Sequence, residues 1–329
     1  MIKLERIILN STPVKFLVDK SKKICLPRFE KVPLYDVIIF FIGQMNKVGI
    51  SDRASAVSFN FLMAIPAATI FLCTLIPYMP ISREITIELL DLTKSVAPNE
   101  NTYKLVANFL NDFLNTPRSG LLSIGFILAV YYASNAVLSM MRSFNRSLVI
   151  VKQRTFLGER WTAIRLTTLL ILLIMATVTL LVTQGELFRY LMKSMNINNP
   201  VIRWLLYSVR GIIIILLVLY SIGIIYKYAP AMTKRWKLAS PGAIFATLLV
   251  VLSTYVFSFW INNFASYNKV YGSIGTLLIL MFLIYINSLI LLIGYELNVC
   301  IHSLKAIAEE REKSQELIPS LKTTLSDQG

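Results

Sequence analysis

Residues 241–263 read PGAIFATLLVVLSTYVFSFWINN, residues 273–295 read SIGTLLILMFLIYINSLILLIGY, and neither run contains a charged residue. A helix needs about 20 apolar residues to cross the hydrocarbon core of a bilayer. Adjacent runs of this kind are rare in the core helices of water-soluble domains. The two runs therefore predict a pair of membrane-spanning helices joined by the short polar connection 264–272.

The first of these two helices has a well-defined start. Ser240 is placed to cap it, and Pro241 occupies the first helical position, where a missing N–H costs nothing. Gly242 and Ala246 leave a narrow edge on which a second helix can approach closely. The sequence therefore predicts close helix contact at this point.

Four further apolar stretches precede these two runs in the sequence. The chain is 56% hydrophobic and only 16% charged, with a mean hydropathy of +0.64, values that do not describe an ordinary soluble protein. The predicted fold class is therefore an all-α polytopic membrane protein. Its six-helix membrane domain covers residues 54–298, with spans at about 54–76, 120–142, 163–183, 209–228, 241–263 and 273–298.

Two segments flank the predicted membrane domain. Residues 1–53 form a basic arm in which we expect no signal peptide, and residues 299–329 form a charged tail that ends in a disordered polar stretch. Within the arm, Tyr35–Lys47 is too short to span and is predicted to lie along the interface as an amphipathic helix. The alternative is that it forms the first turns of an unusually long first span.

The loop between the first two spans contains two amphipathic stretches, Ser82–Val96 and Thr102–Asn115, with apolar residues at helical spacing. They are predicted to be helices that cover the outer mouth of the bundle. They form either a plain surface lid or a lid that gates access of a ligand.

Basic residues are distributed unevenly among the predicted loops. Of the 33 Lys and Arg residues, 24 lie in 1–53, 142–165, 227–237 and 299–329, and 9 lie in 78–119, 185–210 and 264–272. Because Lys and Arg accumulate in cytoplasmic loops, both termini are predicted to be cytoplasmic. The same distribution accounts for the net charge of +15 without nucleic acid as a partner.

One face of the second span carries an amide, a hydroxyl and two guanidinium groups at spacings of 4, 3 and 4: Asn135, Ser139, Arg142 and Arg146. We call these four residues the polar stripe. Its two arginines either mark the cytoplasmic end of the span and touch lipid phosphates, or form the lower wall of an internal polar cavity.

The first and last spans carry the other polar groups of the candidate site. Arg53 and Asn60 lie seven residues apart and share a face that should look inward. Glu296 is the one acid of the terminal hairpin, and it is expected to pair with Arg53, Arg142 or Arg146 because an unpaired charge is costly there. Such a pair either locks the bundle or takes part in proton or substrate coupling.

Residues that usually carry catalysis are scarce. His302 is the only histidine, and Cys25, Cys73 and Cys300 are isolated from one another. No CxxC, HExxH, Gly-rich phosphate loop or GxSxG motif occurs. The sequence therefore predicts no enzyme, no cofactor and no metal site.

Several of these stretches together resemble the YihY/BrkB family of bacterial inner-membrane proteins: DRASAVSFNFLMAIP (52–66), LVANFLNDFLNTPRSGLLSIGFILAVYYASNAVLSMMRSFNRS (105–147), SPGAIFATLL (240–249) and NNFASYNKVYGSIGTLLILMFLIYINSLILLIGYELN (262–298). The resemblance covers about residues 35–303 and is most specific in SYNKVYGSIG and GYELN, although the family usually has alanine where Tyr295 stands. It implies a six-helix protein of the inner membrane, sometimes labelled ribonuclease BN or a virulence factor. No carboxylate cluster or histidine pair in this chain supports the nuclease label.

Two functions are compatible with these features. The first is a transporter or flippase for a lipid or another anionic amphiphile, and the second is a non-transporting scaffold for assembly of the envelope. Membrane lipids, and anionic ones in particular, are the expected partners in the first case. A cavity that reaches Asn60, Asn135 and Arg142 would favour transport, and a tightly filled bundle would favour the scaffold.

Overall fold

The computed structural model describes residues 33–47, 49–78, 87, 90, 100–115, 119–148, 154–194, 200–232, 235–263 and 266–326. Only the backbone is described at 176–194, 200–210, 260–263, 266–277 and 311–326, and at a few other positions. The predicted basic arm before residue 33 and most of the predicted helix Ser82–Val96 lie outside the described residues.

All secondary structure in the described residues is helical. It comprises α1 (Leu34–Lys47), α2 (Ile50–Leu75), α3 (Glu100–Asn115), α4 (Ser119–Asn145), α5 (Phe156–Ser194), α6 (Pro200–Tyr228), α7 (Pro241–Asn263) and α8 (Ser266–Ser326), with a 3-10 turn at Ile76–Tyr78. The predicted all-α fold class is confirmed at this level.

Five of these helices contain segments long and apolar enough to cross a membrane: Ile50–Leu75, Ser119–Asn145, Gly211–Tyr228, Pro241–Phe259 and Leu278–Glu310. The predicted third span, about 163–183, lies within α5, whose side chains after Met175 are not described. The described residues therefore contain five candidate spans, and the sixth span stays a prediction.

A sharp turn separates α1 from α2. Gly49 has a φ of 59°, a left-handed conformation that glycine adopts without a steric penalty. The segment predicted at Tyr35–Lys47 is thus a helix of its own, and the alternative of one long first span is wrong. Val37 of α1 is buried against Ile301 of α8, whereas Ile38 and Ile42 are exposed. The position of α1 along the membrane interface stays a prediction.

The six long helices form a ring in chain order. α2 packs on α4, α4 on α5, α5 on α6, α6 on α7 and α7 on α8, and α8 closes the ring against α2. α1 packs against α8, and α3 packs against α2. Because of this closure, the start of the membrane domain lies next to its end.

Buried residues concentrate at one end of the ring, which we call the packed end. They come from the first turns of α2, α5 and α7, from the last turns of α4 and α6, and from residues 288–301 of α8. In the other half of the ring, large apolar side chains are exposed on all six helices, for example Leu72, Phe126, Leu172, Leu216, Tyr255 and Phe282. Exposed apolar surface on this scale is that of a protein immersed in lipid.

Two predicted boundaries are wrong. α7 ends at Asn263 and α8 begins at Ser266, so most of the polar connection predicted at 264–272 is helical. α8 also continues to Ser326, so the tail is helical where a disordered stretch is predicted. The physical reason is that an existing helix extends without a new nucleation step, and the tail is rich in Ala, Glu, Lys and Leu, which favour helix.

Candidate functional site

A buried ion pair joins the first turn of α2 to α8. Arg53 Nη2 lies 2.6 Å from Glu296 Oε1, and the two side chains are only 3% and 1% exposed. Of the three arginines that the sequence offers as partners for Glu296, the structure selects Arg53. The two residues are 243 positions apart and meet because α8 closes the ring against α2.

The end of α4 supplies the remaining polar contacts of this pair. Arg53 Nη1 donates to the backbone oxygen of Ser143 at 2.8 Å and to Ser147 Oγ at 2.6 Å. The Ser147 hydroxyl in turn donates to Glu296 Oε1. Arg53, Ser147 and Glu296 thus form a closed network that ties α2, the end of α4 and α8 together.

Four aromatic rings pack beside the pair, and we call them the aromatic cluster: Phe144, Tyr226, Trp236 and Tyr295. Tyr295 stacks on Phe144 with ring centroids 4.0 Å apart and lies 5.8 Å from Tyr226 and 5.2 Å from Trp236. Such contacts add about 0.5–1.5 kcal/mol per pair beyond area burial. The stack holds Tyr295 between α4, α6 and the loop before α7.

Three buried polar atoms at this site have no hydrogen-bond partner among the described residues: Arg53 Nε, Tyr295 Oη and Glu296 Oε2. A buried polar atom without a partner costs about 1–3 kcal/mol, so the site is not optimised for stability alone. Glu296 Oε2 therefore has lone pairs that are free to accept a further hydrogen bond.

A pair of glycines allows α7 and α8 to touch close to the site. A Cβ atom on Gly242 would overlap the backbone oxygen of Gly294, so neither position tolerates a side chain without movement of the backbone. The N–H of Gly242 donates to Asn298 Oδ1 at 2.7 Å, and Asn298 Nδ2 donates to Ser240 Oγ at 2.9 Å. The close contact predicted at Gly242 and Ala246 is observed, because the Ala246 methyl also faces Gly294.

Two members of the polar stripe contact the first turns of α5. Asn135 Oδ1 accepts a hydrogen bond from Arg160, and Arg142 Nε lies 3.5 Å from Glu159 Oε2. Arg142 is half-exposed, and ion pairs of this kind contribute about 0–1 kcal/mol. These contacts join α4 to α5 and do not involve the ion pair of Arg53 and Glu296.

The other predicted polar residues are not gathered around the ion pair. Asn60 Nδ2 donates to the backbone oxygen of Ala56 in its own helix at 2.8 Å. Ser139 is half-buried, and Arg146 is exposed in the turn that follows α4. Of the seven residues predicted for the site, the structure therefore joins only Arg53 and Glu296.

Sequence reasoning missed the serines and the aromatic cluster. Ser143 and Ser147 lie beyond the predicted end of the second span, and their spacing of four is the only local signal that they share a face with each other. Nothing in the sequence marks Phe144 or Tyr226 as neighbours of Tyr295, because the contact depends on three different helices.

Three cavities lie away from the ion pair. An apolar cleft of about 480 Å³ runs between α6 and α7, and another of about 340 Å³ runs between α7 and α8. We call them the α6–α7 cleft and the α7–α8 cleft. A third cavity of about 290 Å³, the basic cavity, lies where residues 235–241 meet α8. None of these three is lined by Asn60, Asn135 or Arg142, so the polar cavity that would favour transport is not among them.

Comparison with known proteins identifies the family of this ring of apolar helices. The family described as "Virulence factor BrkB" matches residues 41–317, which is most of the chain. The chain belongs to the BrkB family. No solved structure matches the chain significantly.

Three relatives are similar to this chain, and two of them are described as membrane proteins. The ribonuclease-like protein YfkH of Bacillus subtilis (strain 168) is 29% identical over 266 residues, which cover 79% of this chain and 92% of YfkH. A UPF0761 membrane protein of Pseudoalteromonas translucida (strain TAC 125) is 38% identical over 77 residues, which cover 23% of this chain and 26% of that protein. A UPF0761 membrane protein of Idiomarina loihiensis is also 38% identical, over 76 residues, 23% of this chain and 27% of the relative.

Proposed function

We propose that this BrkB-family protein is a transporter or flippase for a lipid or another anionic amphiphile in the bacterial inner membrane. The observation that carries the proposal is the pair of apolar clefts on the two sides of α7. The α6–α7 cleft extends from Ile244 to Tyr255, about 16 Å of helix length. That is roughly half the thickness of the hydrocarbon core, enough to hold much of an acyl chain.

Transport also requires that some helices move apart while others keep their contacts. The packed end, with its ion pair and aromatic cluster, supports a role as the fixed base of such a movement. The opposite half of the ring has few buried residues, and regions with few buried contacts open most easily. In this proposal α7 moves against α6 and α8 in that half, and the clefts beside it widen.

The proposal is tested by reconstitution of the purified protein into liposomes that contain a fluorescent phosphatidylglycerol. Wild type is expected to expose the labelled lipid of the inner leaflet to an impermeant quencher faster than empty liposomes do. Val251→Trp, which fills the α6–α7 cleft, is expected to slow this exposure. Leu172→Trp, at an exposed apolar position on α5 outside the cleft, is the matched control and should behave as wild type. A rate for folded wild type equal to that of empty liposomes would rule out lipid transport.

A scaffold that does not transport is the second candidate function, and a specific observation favours it. The ion pair, the aromatic cluster and the Gly242–Gly294 contact fill the packed end tightly, as expected of a bundle that serves as a rigid platform. On this alternative the clefts hold only static lipid. A cell assay in which Val251→Trp supports envelope integrity as well as wild type would support the scaffold.

The name of the Bacillus relative mentions ribonuclease, but we base no proposal on it. RNA cleavage uses a pair of acid–base groups or metal ions held by carboxylates. His302 is the single histidine of this chain, and the described residues contain no group of three or more His, Cys, Asp or Glu placed to hold a metal. We propose that the protein acts without a covalent step, and RNA incubated with it should stay intact.

A further inference from the structure

The basic cavity lies at the packed end, between the loop before α7 and the part of α8 that follows the ion pair. Its cationic side chains are Arg235 and Lys237 from the loop and Lys305 from α8. Glu309 is the one acid among the lining residues, and its carboxylate lies 3.8 Å from the Lys305 ammonium. The lining therefore carries an excess of positive charge.

The inner wall of the cavity is buried and partly apolar. Ile301 is buried and Trp236 is half-buried, and they form the apolar part of the lining beside the exposed Arg235 and Lys237. Ser240 and Asn298 are also buried, and they are bound to each other and to the start of α7. Charge interactions beside such a wall are stronger than on an open surface, because the effective dielectric constant is lower.

Arg154 binds the start of the loop that carries Arg235. Arg154 donates to the backbone oxygens of Ala229 and Pro230 at 3.1 Å each, and the Arg235 guanidinium lies over the ring of Tyr228 at 5.2 Å. Partial burial lowers the pKa of Arg154, and the positive charge of Arg235 adds to that effect while Glu159 opposes it. Arg154 and Arg235 are thus close enough to repel each other, and a bound anion would relieve that repulsion.

We propose that the basic cavity binds a phosphate group, either as the headgroup of an anionic lipid or as a free phosphate ion. Arginine offers a forked set of donors that matches phosphate oxygens, and the two lysines add point charges. Pro241 lines the cavity and Ile244 lines the α6–α7 cleft, so the two are one helical turn apart along α7. A phospholipid whose headgroup occupies the cavity has an apolar cleft within reach of an acyl chain.

This site does not depend on transport, since a scaffold could hold a lipid in the same way. The test is a binding measurement on the purified full-length protein, with no translocation step, so its failure leaves the liposome assay above unaffected. Phosphatidylglycerol retained in detergent is measured by native mass spectrometry, and inorganic phosphate added to delipidated protein is measured by calorimetry.

Two variants address the cavity in different ways. Arg235→Gln removes a cation from the lining, and Ala306→Trp fills the cavity from an exposed position on α8 without a change of charge. Arg165→Gln removes an equal charge from an exposed position in the first turns of α5, away from the cavity, and is the matched control. Melting temperatures that match wild type show that each variant is folded.

The two cavity variants are expected to bind the ligand about tenfold more weakly or worse, as loss of a charge-assisted contact predicts, while Arg165→Gln binds as wild type. That pattern with phosphatidylglycerol alone identifies a lipid headgroup, and the same pattern with inorganic phosphate identifies a free phosphate site. If neither ligand distinguishes wild type from the cavity variants, or if Arg165→Gln weakens binding equally, the proposal is overturned.

Discussion

Arg53 uses two of its three guanidinium nitrogens to contact Glu296, Ser143 and Ser147, and this arrangement decides how each residue responds to substitution. Removal of one partner from a buried ion pair leaves the other charge uncompensated, which costs far more than the pair contributes when intact. The unpartnered atoms Arg53 Nε and Glu296 Oε2 show that the pair already carries a desolvation cost. Single substitutions at this site should therefore be severe.

Glu296→Ala is expected to lower the free energy of unfolding in detergent by about 3–5 kcal/mol, because the Arg53 guanidinium stays buried without its carboxylate. Glu296→Gln should cost less, since the amide oxygen can still accept from Arg53 and Ser147. Chemical denaturation of the purified variants measures both. Unchanged stability for both would mean that Glu296 is hydrated rather than paired.

A double variant separates the charge effect from simple loss of contacts. In Arg53→Met/Glu296→Leu both charges are gone, so no uncompensated ion remains and the protein should be more stable than Glu296→Ala. The same denaturation experiment applies. A double variant less stable than Glu296→Ala would show that the polar network itself holds the helices.

Pairs of helices approach one another by different means around the ring. α7 and α8 meet through backbone at Gly242 and Gly294, whereas α4 and α5 meet partly through side chains, with Arg142 beside Glu159. Backbone contact is intolerant of added volume, because packed interiors leave little room to relax. A half-exposed polar contact tolerates substitution, since water can replace either partner.

Gly242→Ala should destabilise the protein by about 1–3 kcal/mol, because its Cβ meets the backbone of α8 rather than a movable side chain. Gly211→Ala in α6 is the control, since nothing lies near the added methyl group. It should be neutral or stabilising by up to about 1 kcal/mol, as for glycine in a helix interior. Thermal unfolding of both proteins provides the measurement, and equal melting temperatures would contradict the close contact.

Arg142→Lys tests whether the polar stripe binds lipid or only positions α4. The ion pair of Arg142 with Glu159 needs a positive charge and no forked geometry, so lysine should preserve folding, lipid retention and complementation. Native mass spectrometry and a complementation assay report these quantities. Loss of bound anionic lipid with normal folding would instead assign the stripe to a headgroup site.

The whole molecule has its packed end on the side where basic residues accumulate. Residues 142–165 and 227–237, which carry ten of the 33 basic residues, flank the ends of α4, α5, α6 and α7 at the packed end. Since basic loops stay in the cytoplasm, the ion pair, the aromatic cluster and the basic cavity are predicted to lie near the cytoplasmic surface. The loosely packed half then faces the other side.

A cysteine at Ser314 should be protected from impermeant thiol reagents in intact cells, and one at Ser266 should react, because α8 crosses the membrane between them. Both are introduced after Cys25, Cys73 and Cys300 are replaced by serine. Permeabilised cells, in which both should react, provide the control. Labelling at Ser314 in intact cells would reverse the predicted orientation.

The amino-acid sequence by itself determined the membrane class, the helical fold, the start of α7 and the contact at Gly242. These depend on local chemistry, namely the length of apolar runs, capping residues and small side chains, and on the bilayer as solvent. The sequence was less accurate for the helical tail and the connection 264–272, because polar composition does not by itself end a helix that is already formed.

Only the tertiary structure decided which arginine pairs with Glu296. Arg53, Arg142 and Arg146 are equivalent in the sequence, since all three are predicted at the same membrane boundary. The choice follows from closure of the ring, which brings α8 against α2 and turns Arg142 toward α5. Contacts between residues far apart in the chain, such as Arg53 with Glu296 or Tyr295 with Phe144, depend on helix packing that no local pattern encodes.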